Sequence, residues 1–149
     1  MPRYEALTRQ GNSLLEVAQS RAGEEADEFF KSACATYSEA LQLRPDMAEA
    51  RLGLGCARLA LASRTSDVAE RRRLLRLSRE ALLWAEQLTA KAAAYNLACC
   101  AALAGDRGEC RMWLERCRQA EHLPPAEQLR ADPDLAPVRG EPWFAALLA

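Results

Sequence analysis

At 149 residues and 16.5 kDa the chain is sized for one compact domain. Ala (30) and Leu (23) swamp Val (3), Thr (4) and Ile (0), which closes off a sheet-based fold, and a hydrophobic share of 50% excludes a disordered chain. The 20 basic and 21 acidic residues nearly cancel, so no global field gathers a polyanion and no nucleic-acid partner is expected.

In chain order, the spacing predicts a first helix from about Arg3 to Ser20, with Leu7, Gly11, Leu14 and Ala18 on one face. The turn SRAGEEAD follows, where Gly23 supplies a left-handed residue and Glu24, Glu25 and Asp27 suit the positive end of the next helix. That second helix carries Ala26, Phe30, Ala33, Tyr37 and Ala40 and stops at Pro45. A third begins at Asp46, read as its N-cap with Glu49 as the reciprocal acid, and buries Ala50, Leu54, Ala57 and Leu61. A fourth starts at Ser66 or Asp67 and runs to about Gln87, burying Leu75, Leu82 and Ala85. A fifth, short and small-surfaced, runs from Thr89 to Gly105, and a sixth follows Asp106 with Cys110, Trp113, Leu114 and Cys117. PPAEQL and EPWFAALL read as two short terminal helices, each opened by proline.

The helices recur in pairs. Gly11, Gly55 and Ala98 hold one place in the first, third and fifth helices. In the even helices a small, bulky, small triad recurs at spacings of 4 and 3: Ala33, Tyr37, Ala40, then Ser78, Leu82, Ala85, then Cys110, Leu114, Cys117. Small residues at such places let two helix backbones approach while the bulky one fills the groove beside them.

On these residues the chain resembles the tetratricopeptide repeat family, in the form of a small bacterial-type protein. The run AAAYNLACCAALAGDRGECRMWLERCRQA carries the resemblance best, through Tyr95, Leu97, Ala98, Gly105, Cys110, Leu114 and Cys117, and the tail LRADPDLAPVRGEPWFAALL looks like a closing segment. The resemblance implies an all-α solenoid of antiparallel pairs in a single domain, residues 1–149, with units at about 3–45, 46–88 and 89–122 and a cap at 123–149. The first two units exceed the family's period of about 34 residues, which implies longer arms.

The family's binding face, carried onto this sequence, falls on Glu5, Thr8, Asn12, Leu15 and Glu16, on Glu49, Leu52, Cys56, Leu59 and Ala60, and on Ala92, Tyr95, Asn96, Cys99 and Leu103. Its apolar centre suits an apolar or amphipathic segment of a protein partner, with Asn12 and Asn96 placed to bond its backbone. The competing reading has the hairpins fold over the groove and turn Leu52, Leu59 and Tyr95 into core. Thr8 and Ala92 stand where a carboxylate clamp would need bases, which disfavours capture of an acidic C-terminus.

Outside that face, Arg72, Arg76 and Arg79 recur on one side of the fourth helix, with Arg73 beside them, as either a solvated face or a dock for an acidic protein surface. Trp84 is the candidate for an exposed contact or a homodimer interface, while Trp113, Trp143 and Phe144 are expected to pack the end of the stack. No catalytic constellation, cofactor motif or metal site is expected. His122 is the lone histidine, and Cys110 and Cys117 are about 10.5 Å apart along a helix, too far for one zinc ion. The six cysteines read as reduced, packed thiols. With no apolar run long enough to span a bilayer, no membrane insertion and a cytoplasmic location are expected. The functional expectation is a non-catalytic protein-interaction module that binds a protein or peptide segment in a helical groove, with a secretion-type chaperone or assembly factor as the alternative.

Overall fold

A computed structural model describes residues 1–149 and contains helices without strands, as the composition requires. The chain divides into two compact units, Met1–Ala92 and Ala93–Ala149.

The first unit is two long helix pairs: α1 (Arg3–Gln19) with α2 (Gly23–Leu43), and α3 (Ala48–Arg64) with α4 (Val68–Leu88). Connections of three or four residues force each pair antiparallel. Gly23 adopts the expected left-handed backbone, φ +62. Asp67 caps α4 by accepting from the Ala69 and Glu70 amides at 3.0 and 3.2 Å. The start of α3 departs from expectation. Its N-cap is Met47, with no side-chain cap, because Asp46 pairs with Arg44 instead and Glu49 turns to Asn12.

The core of the first unit follows the predicted stripes. Ala26, Ala33, Tyr37, Ala40, Ala50 and Ala57 are fully buried, with Phe30 and Leu54 beside them, and α3 packs on both α2 and α1. The small residues set the approach. A methyl added at Gly11 would lie 2.7 Å from the Tyr37 ring, and one at Gly55 would lie 2.5 Å from the Leu82 side chain. Both pairings were legible as repeated positions. Gly53, two residues before Gly55 and outside both patterns, also rests against Tyr37, so a single ring separates α1 from α3.

The second unit holds α5 (Ala94–Ala104), α6 (Arg107–Gln119), α7 (Ala126–Ala131), a 3₁₀ helix (Pro133–Val138) and α8 (Pro142–Leu148). The two helices of this pair are shorter than those before it, as the sequence implies. Gly105, at φ +85, closes α5: its own amide bonds to the Ala102 carbonyl, and that of Asp106 to Ala101. The Asp106 carboxylate then accepts from the Glu109 amide at 3.0 Å.

Two expectations fail locally. The fifth helix starts at Ala94, not Thr89, because Lys91 takes a left-handed backbone (φ +72) and gives its amide to the Glu86 carboxylate at 2.7 Å. The Asp-Pro-Asp run, placed within the closing segment but given no helix of its own, winds into the 3₁₀ helix: Asp132 accepts from the Asp134 amide at 3.0 Å and so starts the turn. The triad Cys110, Leu114 and Cys117 is buried as predicted, and Leu129, Leu135 and Val138 of the tail are fully buried.

Candidate partner-binding groove

In the first unit an open groove of about 340 Å³ runs between α1 and α3. Residues four or so apart on each helix supply its walls: Asn12, Leu15 and Glu16 from α1, and Glu49, Leu52 and Cys56 from α3. Its base is the Tyr37 ring of α2, seen past Gly53. Six of the ten face positions expected from α1 and α3 therefore converge on one depression.

A polar ladder crosses the groove floor. The Tyr37 hydroxyl donates to Asn12 Oδ1 at 2.6 Å, and Asn12 Nδ2 donates to Glu49 Oε1 at 2.9 Å. The ladder engages the oxygen and the nitrogen of the Asn12 amide once each, so this residue positions the groove. Burial, with Cys56 and Glu49 beside the ring, raises the Tyr37 hydroxyl and keeps it a donor. Burial likewise pushes the Cys56 thiol up to about 11, so the wall it forms is neutral. Leu15 and Leu52 are half-buried, while the Glu16 and Glu49 carboxylates stand exposed at the rim.

Two expected face residues lie elsewhere. Thr8 is 1% exposed, its hydroxyl donating to the Tyr4 carbonyl at 2.8 Å, and Leu59 is 5% exposed within α3. Each falls on the inner side of its helix, where a neighbouring helix covers it, so both are core and neither presents atoms to a partner.

In the second unit the corresponding face is occupied by the chain's own tail. The Tyr95 hydroxyl donates to Asp132 Oδ2 at 2.5 Å, and the Cys99 thiol points at the same oxygen from 3.9 Å. Arg139 donates to the Asp132 carbonyl at 2.7 Å. Tyr95 is thus committed to an internal contact, and Asn96 sits half-buried beside it on α5. This face is covered by the tail and not by the long hairpins of the competing reading, and Tyr95 stays half-buried. Cys99, Asp132 and Asp134 also bring three possible ligand atoms within 4.8 Å. Hydrogen bonds about Asp132 join the group, and burial, reinforced by both carboxylates, raises the thiol strongly. Sequence reasoning missed Asp132, although the Asp-Pro-Asp run marked a turn that exposes a carboxylate.

The α4 arginines divide. Arg72 and Arg76 are exposed, whereas Arg73 is held by Glu70 at 2.8 and 3.0 Å. Trp84 is 41% exposed, and the Arg51 guanidinium stacks 3.4 Å over its ring, so one face of this candidate contact is already covered from α3. Trp113 is buried and its indole donates to Glu109 at 3.2 Å, and Phe144 is buried edge-on to Trp143.

No curated protein and no solved structure matches the chain. A family model does: that of the plant specific mitochondrial import receptor subunit TOM20, over residues 3–104, from the start of α1 to the end of α5. This match corrects the expected tetratricopeptide assignment to a small bacterial-type protein. The small, bulky, small spacing that suggested it is a general solution to close helix packing, and the two long pairs, which departed from the repeat period, lie wholly within the matched range. The same match overturns the expected cytoplasmic location, since the family is that of a mitochondrial receptor subunit. That location had rested on the lack of a membrane-spanning run. No helix is long and apolar enough to cross a membrane, and this says nothing about an organelle surface. With residues 3–104 of its 149 matched, the chain belongs to the family of the plant-specific mitochondrial import receptor subunit TOM20.

Proposed function

We propose that the protein is a non-catalytic receptor that takes an amphipathic segment of an imported protein into the α1–α3 groove of its first unit. The observation that carries this reading is the pairing of an apolar wall, Leu15 and Leu52, with exposed carboxylates at Glu16 and Glu49 along one open depression. Such a groove suits a helix that sets apolar side chains on the wall and basic ones against the rim. Burial of the apolar stripe supplies affinity at about 25 cal/mol per Å², and the carboxylates select its orientation and register. The Tyr37–Asn12–Glu49 ladder supports the reading by holding the two walls at a fixed spacing before the partner arrives, which lowers the ordering cost of binding. The first two helix pairs are the proposed receptor portion, and the third pair with its closing tail is a proposed self-sealed portion.

The test is fluorescence titration of a basic amphipathic peptide of Leu and Arg in helical repeat. Reversal of both rim charges, Glu16→Lys with Glu49→Lys, is expected to weaken binding at least about tenfold, since each lost charge-assisted contact is worth about 1.5–3 kcal/mol. Glu16→Lys alone leaves the ladder intact and should give a smaller loss. Unchanged affinity in both variants, with helical circular dichroism preserved, would place the partner elsewhere.

A further inference from the structure

In the first unit a second and larger cavity of about 640 Å³ opens between α2 and α4 over the C-terminal half of α3. Its charge is one-sided. Four cationic side chains, Lys31, Arg58, Arg64 and Arg73, line it against two carboxylates, Asp27 and Glu70. The carboxylates are spoken for: Asp27 takes Arg64, whose guanidinium also reaches the Gly23 carbonyl at 3.0 Å, and Glu70 takes Arg73 in a two-pronged bridge at 2.8 and 3.0 Å. Lys31 meets Glu28 at 3.6 Å, outside the cavity lining.

Arg58 differs from the other three. It is half-buried and its guanidinium meets the Leu77 carbonyl at 3.5 Å rather than a carboxylate. A partly desolvated guanidinium bonded to one distant carbonyl retains most of its five donors unspent. Burial above all, with the nearby charge of Arg73, lowers its proton affinity against the opposing influence of Cys34 and Glu80, so its surroundings are on balance unfavourable to a cation. An anion entering here would meet a guanidinium to which no carboxylate is bonded, Glu80 acting on it only through its charge, and Arg73 would add to the attraction. Around this charge the walls are apolar: Leu61, Leu74 and Leu77, with Cys34 kept neutral by burial.

We propose that this cavity docks an acidic amphipathic segment of a second protein, one Asp or Glu carboxylate bridging to Arg58 while flanking apolar side chains lie against Leu61 and Leu77. Charge complementarity selects the occupant, and the cavity's volume and apolar walls favour a peptide over a small free anion. The site shares no lining residue with the α1–α3 groove and attracts the opposite charge.

The experiment uses the full chain and a fluorescent peptide with Glu and Leu in helical repeat, beside the same peptide with Gln for every Glu. The expected result is saturable binding of the Glu peptide, at least tenfold weaker binding of the Gln peptide, and a loss of at least tenfold on Arg58→Gln. Glu16→Lys in the other groove should leave it unchanged. Arg58→Lys, which retains the charge and the stem, is expected to recover part of the affinity and guards against a packing defect in Arg58→Gln. Two controls contain the alternatives: inorganic phosphate, and vesicles with a phosphatidylserine fraction. Absence of Glu-peptide binding, binding indifferent to Arg58→Gln, or Arg58-dependent capture of vesicles or phosphate in preference to the peptide would each overturn the assignment.

Discussion

Tyr37 shows how much one side chain can settle. Its ring is fully buried between Gly11 of α1 and Gly53 of α3, and its hydroxyl begins the ladder that ends on Glu49. The first contact was readable from the recurrence of Gly11, Gly55 and Ala98, because a repeated small residue facing a repeated bulky one is a packing rule written in sequence. The second was not, since Gly53 lies off the repeated place and its role depends on where α3 sits over α2. Gly53→Ala is therefore expected to be costly: the added methyl would run into the ring, and overpacking of this kind costs about 1–3 kcal/mol. Urea unfolding should show the loss, while Gly140→Ala, where nothing crowds an added methyl, stays near wild type. Asn12 illustrates the reverse lesson. Its place on the groove wall was legible, but its bonds to a neighbouring tyrosine and glutamate were not.

At the scale of the element, helix extents were legible wherever the stop was covalent and obscured wherever it was a hydrogen bond. Proline and glycine end α2 and α5 close to the expected points, while the late start of α5 depends on Glu86 catching the Lys91 amide. The tail is the clearest case of the second kind. Its 3₁₀ helix is fixed by Asp132, which serves Tyr95, Cys99, Asp134 and Arg139 at once, and no periodicity announces that. It also makes this element sensitive to pH. Burial, and then the charge of Asp132, push the Asp134 carboxyl from 3.8 up to about 6. A carboxyl raised on folding binds its proton more tightly in the folded state, so its stabilising contribution is complete below pH 3.8 and is lost as pH rises through about 6. Hydrogen exchange in Leu129–Val138 should accordingly quicken between about pH 4 and 6 beyond the intrinsic rate, and Asp134→Asn should remove that excess.

For the whole molecule, the all-α class and the paired helices followed from composition and period, but the address did not. A family that works at mitochondria was hidden behind a packing pattern shared by many helical proteins, and a near-neutral charge total concealed two oppositely charged depressions on the first unit. The six thiols, read from the start as packed and reduced, give the molecule a built-in clock. Cys99, Cys100, Cys110 and Cys117 are all buried in the second unit, and burial lifts the Cys110 thiol to about 12, while Cys34 and Cys56 are half-buried in the first. Attack on a disulfide reagent needs an exposed thiolate, so each sulfur reports the moment its own surroundings part. Mass spectrometry of timed labelling should find Cys34 and Cys56 modified first and the other four held back. If those four then gain label together, the second unit opens as one body, and the interval before they do measures its opening without any label having been engineered into the chain.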